Sequence, residues 1–375
     1  MDIHGTCDPR FAAVEAAFAA NFEEGLDQGA AFAVYAAGRP VVDLWGGSAD
    51  AEGQRPWARD TLVNVWSTTK GVVALALALL VERGRLDYEA PVARVWPEFG
   101  QNGKAEITLG CLLSHQAGLS APPDDISLEA LYGWHDYIAA LEAMAPETPP
   151  GSLCVYHALS FGHLAGEILR RVDGRRIGAF VAQEIAGPLG ISFFIGLPES
   201  EEGRVAATIA GPGADDNIVK AEEEPLGRGL INPRFSVTQP NDRAWRAAEI
   251  PAGNGQGDAL GLARLYGALA SGGSLEGLRL IGAEALAAAT AERFRGTEAS
   301  MGRPLAFGAG FMLNEGGGFG PSAGAFGHTG LGGSLAFADP DARVGVAYTP
   351  NRLLGFGDKP DPRRQRLIAA VYDSL

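Results

Sequence analysis

The stretch Val65-Trp66-Ser67-Thr68-Thr69-Lys70-Gly71, running on into Val72 to Val81, constrains this chain more than any other. From Val72 to Val81 no residue is polar, and a helix without a polar stripe is buried. Ser67 and Lys70 are three positions apart, so on that helix they share a face. A Lys at the edge of an apolar interior is pushed toward its neutral form, because desolvation disfavours the charge. A neutral amine beside a hydroxyl is the pairing that makes a nucleophile. A plainer reading stands next to this one: Ser67 caps the helix and Lys70 snorkels to water along its stem. Lys is scarce here, with only Lys70, Lys104, Lys220 and Lys359 among 30 Lys and Arg residues. Unlike Arg, it can be deprotonated by its surroundings.

At 375 residues the chain is long enough for a large core and two domains or subdomains. The net charge of −15 argues against nucleic acid or an anionic membrane surface as partner. The apolar run at Val72–Val81 is about half of what crosses a bilayer. The N-terminus lacks the basic and apolar regions of a signal peptide, so a cytoplasmic location is expected. Cys7, Cys111 and Cys154 are odd in number and widely spaced, which speaks against a disulfide framework or a zinc site. No metal or cofactor is expected, and the oligomeric state stays open.

Read in order, Phe11 to Phe22 carries apolar residues at helical spacing, and Ala30–Tyr35 and Pro40–Gly47 read as a hairpin across Ala37-Gly38-Arg39. Beyond the Ser67 helix, to about residue 200, the pattern is mainly helical: Ile107–His115, Ile126–Met144 and Leu159–Val172. Residues 203–254 are irregular and polar, a length of loop that suits the wall of an entrance. Asp258–Ala270 and Ala283–Ala291 read as helices. Leu305–Leu313, Gly333–Asp339 and Arg343–Thr349 read as strands, and Pro362–Leu375 as a closing helix. The expected fold is α+β: an antiparallel sheet built from both termini, flanked by terminal helices, with an inserted all-α domain. The expected boundaries are 1–66 with 255–375 for the first unit and 67–254 for the second, with a site between them.

Two more stretches bear on that site. Tyr156, in Val155-Tyr156-His157-Ala158, stands in a loop just ahead of a helix; taken alone, such a Tyr is a packed aromatic. Phe326-Gly327-His328-Thr329-Gly330-Leu331-Gly332-Gly333 has glycines that admit close backbone approach and N–H groups that suit an oxyanion. Ser67-x-x-Lys70, Tyr156 and His328-Thr329-Gly330, in that order and spacing, resemble the class C β-lactamase and penicillin-binding-protein superfamily, in its family VIII carboxylesterase branch. Leu112 to Leu119 and Pro251-Ala252-Gly253-Asn254-Gly255 are similar too, so the likeness runs from about Ala30 to Tyr348.

The resemblance implies an α/β domain plus a helical domain, with Ser67 as acyl acceptor and Lys70 and Tyr156 sharing the proton transfers. It implies the backbone N–H groups of Ser67 and Leu331 as oxyanion hole, and His157, His328, Thr329 and Gly330 around substrate. A cationic Lys70 would lower the Tyr156 phenol's pKa while burial lowers its own. Which of the two takes the Ser67 proton stays open. Two departures shape the expected specificity. Penicillin-recognising members carry Tyr-x-Asn where this chain has Tyr156-His157-Ala158, and Lys-Thr-Gly where it has His328-Thr329-Gly330. The fixed cation for a β-lactam carboxylate thus becomes a His only partly charged near neutrality. The expected function is hydrolysis of small carboxylic esters, with weak or absent β-lactam hydrolysis. The alternatives are a β-lactamase, a D-amino-acid peptidase or transacylase on the same scaffold, and an inactive binding protein. Gly320-Pro321-Ser322-Ala323-Gly324 matches the nucleophile-elbow pattern but lacks the strand before and helix after that the elbow needs.

Overall fold

The structure, a computed structural model, describes residues 2–357 and 359–375. It is built on one nine-stranded, wholly antiparallel sheet. Its strands are β1 (Ile3–Cys7), β2 (Gly29–Ala36), β3 (Arg39–Gly47), β4 (Phe294–Glu298), β5 (Arg303–Phe307), β6 (Met312–Leu313), β7 (Phe326–Thr329), β8 (Leu335–Asp339) and β9 (Val344–Pro350). Their order across the sheet is β1-β3-β2-β9-β8-β7-β6-β5-β4. An N-terminal strand and the last long strand of the chain therefore meet inside the sheet at the β2–β9 pair, where Val34 faces Val346. The β2–β3 turn is tight because Ala37 and Gly38 both take positive φ, 48° and 79°, whose twist suits a two-residue hairpin.

Each face of the sheet is covered. Phe32, Val34 and Val346 pack on one side with Val14 and Phe18 of helix α1 (Ala12–Glu23) and Leu367 and Val371 of the last helix, Pro362–Asp373. Ala31, Ala33 and Tyr35, one register step away, point to the opposite face, as the strand period of two requires. There they join the larger core with α2 (Thr69–Glu82), α3 (Ser160–Asp173) and α4 (Ala259–Ala270). Helix α4 lies so close on β9 that a Cβ on Gly345 would stand 2.1 Å from the Gly267 nitrogen. With the last helix as α5, this is the expected arrangement of an antiparallel sheet, terminal helices and inserted helical material. Among the described residues no helix is long and apolar enough to cross a membrane.

Several local expectations change. The helix expected over Ile126–Met144 is two, Leu128–Gly133 and His135–Ala143, because Trp134 takes φ 70° between them. The strand expected over Leu305–Leu313 is broken into β5 and β6. At the break Gly310 has φ 90° and passes so near α2 that a Cβ there would lie 2.9 Å from the Ala74 Cβ. Both outer strands escaped the pattern reading, since β1 and β4 are edge strands whose side chains are mostly exposed or half-buried. Residues 203–254 contain the helices Asp216–Glu223 and Arg243–Ala247, the second anchored by the fully buried Trp245.

Candidate active site

Ser67 stands in a 3-10 turn, Trp66–Thr68, that leads directly into α2. Trp66 takes φ 48°, a left-handed conformation that a bulky residue holds only at a cost, on the order of 1–3 kcal/mol. Its ring is clasped by Phe235 and Trp245, with centroids 5.9 and 5.7 Å away. The strained turn is thus held by packing, and it leaves Ser67 partly exposed on a cavity. Being in the first turn, the Ser67 N–H has no carbonyl partner within its helix.

Lys70, one turn on, is completely buried. Its Nζ lies 2.9 Å from Ser67 Oγ, 2.8 Å from the Ala158 carbonyl and 2.8 Å from the Ala252 carbonyl. Burial drives its pKa well below the usual lysine range, and no carboxylate offsets that effect. With two N–H bonds spent on carbonyls, a neutral amine has its lone pair left for the Ser67 hydroxyl. The two carbonyls come from loops braced for the purpose. Asn254 donates to the carbonyls of Trp245 and Ala248 and accepts from the Ile250 N–H, at 2.7, 2.6 and 3.0 Å, while Asn64 donates to the Gly253 carbonyl at 3.0 Å. This explains the Pro251–Gly255 stretch: it delivers Ala252 to Lys70.

The Ala158 carbonyl and Tyr156 share a second loop. Tyr156 lines the cavity with Ser67, and Lys70 Nζ sits 4.9 Å from its ring centroid. Its phenol is shifted up rather than down: burial raises its pKa first of all, a hydrogen bond with Ser67 opposes, and Glu298 raises it further. The expected lowering by a cationic Lys70 is therefore reversed, first of all because the phenol is itself buried. Tyr156 stays a protonated phenol in the neutral range.

His157 departs from its expected place. It is fully buried and absent from the cavity wall. Its Nδ1–H donates to the Val155 carbonyl at 2.5 Å, its Nε2 accepts from the Leu119 N–H at 3.1 Å, and its own N–H donates to His115 Nδ1 at 3.1 Å. His157 thus clamps the Tyr156 loop onto the Leu112–Leu119 stretch instead of facing a ligand.

His328, Thr329, Gly330 and Leu331 all line the cavity opposite Ser67. His328 is only 1% exposed, donates from Nδ1 to the Thr329 carbonyl at 2.7 Å, and leaves Nε2 without a partner. Burial, with Lys70 nearby, pushes its pKa down to about 3, so it is neutral rather than partly charged near pH 7. Gly330 must be Gly, since a Cβ would come 2.1 Å from Ser334 Oγ and 2.4 Å from the Val65 carbonyl. That close approach lets Ser334 donate to the Val65 carbonyl at 2.8 Å and ties β7 to the Ser67 turn.

One contributor had no signal in the sequence. Glu298, at the end of the edge strand β4, is fully buried and accepts from the Tyr156 N–H at 2.7 Å, from Ser300 Oγ at 2.6 Å and from the Met301 N–H at 2.8 Å. Ser322 of the elbow-like pentapeptide lies in the loop between β6 and β7 and is not on the cavity wall. The cavity has a volume of about 220 Å3, and its far wall is Leu230, Met301, Leu305, Met312 and Phe356. Asp216 and Leu230 come from the irregular 203–254 region, so that region does reach the cavity.

A family model described as beta-lactamase matches residues 18–370. The chain belongs to the beta-lactamase family. Within it, the chain is 36% identical over 365 residues to the Esterase/beta-lactamase LipL of Mycobacterium tuberculosis, covering 94% of this chain and 83% of that protein. The crystal structure of a family VIII carboxylesterase superposes with a TM-score of 0.94 at 42% identity, covering 100% of both chains. A penicillin-binding-protein homolog from Caulobacter crescentus gives 0.89 at 45% identity, again covering 100% of both chains. These likenesses mark the chain as a hydrolase of the beta-lactamase-like serine hydrolase superfamily.

Proposed function

We propose that this protein hydrolyses small carboxylic esters through an acyl-Ser67 intermediate. The carrying observation is Lys70: buried without a carboxylate partner, it is held 2.9 Å from Ser67 Oγ by two backbone carbonyls. Ser67 Oγ attacks the ester carbonyl and its proton passes to Lys70 Nζ. The developing oxyanion is received by the N–H groups of Ser67 and Leu331, two residues that line one cavity. As the tetrahedral intermediate collapses, the leaving alkoxide takes a proton from the Tyr156 phenol, which Lys70 then replenishes. Water attacks the acyl-enzyme by the reverse sequence and releases the acid.

The size of the cavity supports small substrates. Its volume of about 220 Å3 is below the usual range for drug-sized ligands. A neutral His328 offers no cation for a β-lactam carboxylate, and Ala158, at the position of the Asn in Tyr-x-Asn, has no side-chain amide for an acylamino substituent. β-Lactam hydrolysis is the second reading, favoured by the paired name of the mycobacterial relative. The deciding experiment incubates wild type, Ser67→Ala and Ser322→Ala with p-nitrophenyl acetate and butyrate and with nitrocefin, with mass spectrometry for the acyl adduct. Ester activity and the adduct should vanish in Ser67→Ala and persist in Ser322→Ala. Full ester activity in Ser67→Ala would overturn the mechanism, and nitrocefin turnover equal to the ester rate would overturn the preference.

A further inference from the structure

Beneath the turn that carries Leu331 lies a buried ionic cluster that the mechanism above does not use. Arg363, in the first turn of α5, is completely buried. Its guanidinium donates to both oxygens of Asp361 at 3.1 and 2.8 Å, to Asp27 at 3.2 Å and to the Arg352 carbonyl at 2.9 Å. Its remaining reach is to the Gly332 carbonyl, at 2.6 Å. Asp27 is fixed from its other side by the Tyr348 hydroxyl, 2.6 Å from each carboxylate oxygen. Three distant parts of the chain thus converge on one side chain whose free end grips the Leu331–Gly333 turn.

That turn needs gripping. Gly332 and Gly333 take φ of 75° and 130°, the second a conformation that side chains rarely adopt, and two adjacent glycines are intrinsically loose. A Cβ on Gly333 would lie 2.3 Å from Arg363 Nη2, so the turn is seated directly on the guanidinium. The other bond to the Gly332 carbonyl, from the Leu354 N–H, is longer at 3.3 Å. An oxyanion donor works by being in place before charge develops. We propose that Arg363, held by Asp27 and Asp361, is a positioning residue that fixes the Leu331–Gly333 turn and so aims the Leu331 N–H at the oxyanion. This rests on the roles given to Ser67 and Leu331 above.

The test compares full-length wild type, Arg363→Lys, Asp27→Asn and Ser67→Ala with p-nitrophenyl butyrate. A fluorophosphonate label counts the competent sites, and thermal unfolding reports the fold. In Arg363→Lys, kcat per competent site should fall at least tenfold with KM within twofold. Affinity for an alkyl boronic acid, whose tetrahedral adduct sets an oxygen in the oxyanion hole, should fall by a similar factor. Asp27→Asn, which keeps the Arg363 charge but weakens its anchor, should show the same split with a fall of at least threefold. A lowered unfolding temperature with per-site kcat and boronate affinity unchanged within twofold would overturn the proposal and leave Arg363 a purely structural clamp. If Arg363→Lys does not fold, Asp27→Asn decides by the same criteria. Failure of the Ser67 reading shows separately, as ester activity surviving in Ser67→Ala.

Discussion

Replacing Lys70 with Met removes the amine and nearly preserves its volume, so it isolates the protonation state on which the mechanism depends. In the unfolded chain Lys70 titrates near 10.4. In the folded protein burial holds it well below that value. Between the two pKa values the unfolded state binds a proton that the folded state does not, so stability rises with pH across the window. For an amine neutral at pH 7, that gain is about 1.4 kcal/mol per pH unit, or about 2.7 kcal/mol from pH 7 to pH 9. Lys70→Met has no such group, and every other titration is common to both proteins. Its own cost is the pair of stranded carbonyls at Ala158 and Ala252, about 1–3 kcal/mol each, and this does not change with pH. The assay is urea unfolding of both proteins at pH 7, 8 and 9. The stability difference should widen in favour of wild type by about 2.7 kcal/mol over that range. Parallel curves would mean that Lys70 is charged in the folded protein, and the neutral-base argument would fail.

Three further outcomes follow from the same geometry. Tyr156→Phe keeps the ring that packs on His115 at 4.6 Å and removes only the phenol oxygen, so ester kcat should fall by about 10²–10⁴ while the unfolding temperature barely moves. Gly330→Ala forces a methyl to within 2.1 Å of Ser334 Oγ and should destabilise by about 1–3 kcal/mol in chemical denaturation, with loss of ester activity as β7 shifts from the Ser67 turn. Because His157 and His328 are held down to about 4 and about 3, the acid limb of ester kcat/KM belongs to Lys70. His328→Asn should change the height of the pH–rate profile and not the position of that limb; a limb at pH 6.5 that disappears in this variant would refute the assignment.

The parts of the site that could be seen in the sequence are those set by local pattern. An unbroken apolar run can only be a buried helix, and a Lys three residues after a Ser at its start must then share its burial. The sheet's central strands were legible because Phe32, Val34 and Val346 alternate with small residues. Its edges were not, since a strand such as Phe294–Glu298 buries little and carries no alternation. What pattern could not show is partnership across the fold. Glu298 reaches Tyr156 over a separation of 142 positions, and Lys70 finds the Ala252 carbonyl over 182. His157 was misplaced for the same reason: adjacency to Tyr156 along the chain suggested a shared cavity, whereas alternate residues of an extended loop point opposite ways. The direction of the Tyr156 shift was also missed. It depends first on the burial of the phenol itself, which is decided by the three-dimensional fold.

These misses share a physical cause that bears on substrate choice. Beside Ser67 itself Lys70 is held by carbonyls, and His115, His157 and His328 are all driven toward neutrality by burial, while Asp216, Arg303, Lys359, Asp361 and Arg364 bring formal charge to the same cavity's wall. The cluster of Arg363 with Asp27 and Asp361 lies beneath the Leu331–Gly333 turn and is bound up in hydrogen bonds. An anionic substrate gains no cation from the buried, neutral His328, so any charge partner must come from the basic side chains farther round the lining, Arg303, Lys359 or Arg364. In the proposed mechanism a neutral ester loses little on entry and develops its charge only in the transition state, which the Ser67 and Leu331 N–H groups would receive. A neutral His328 beside Ser67 then leaves the ground state without an extra charge contact there, and an interaction made only in the transition state raises kcat rather than merely tightening binding.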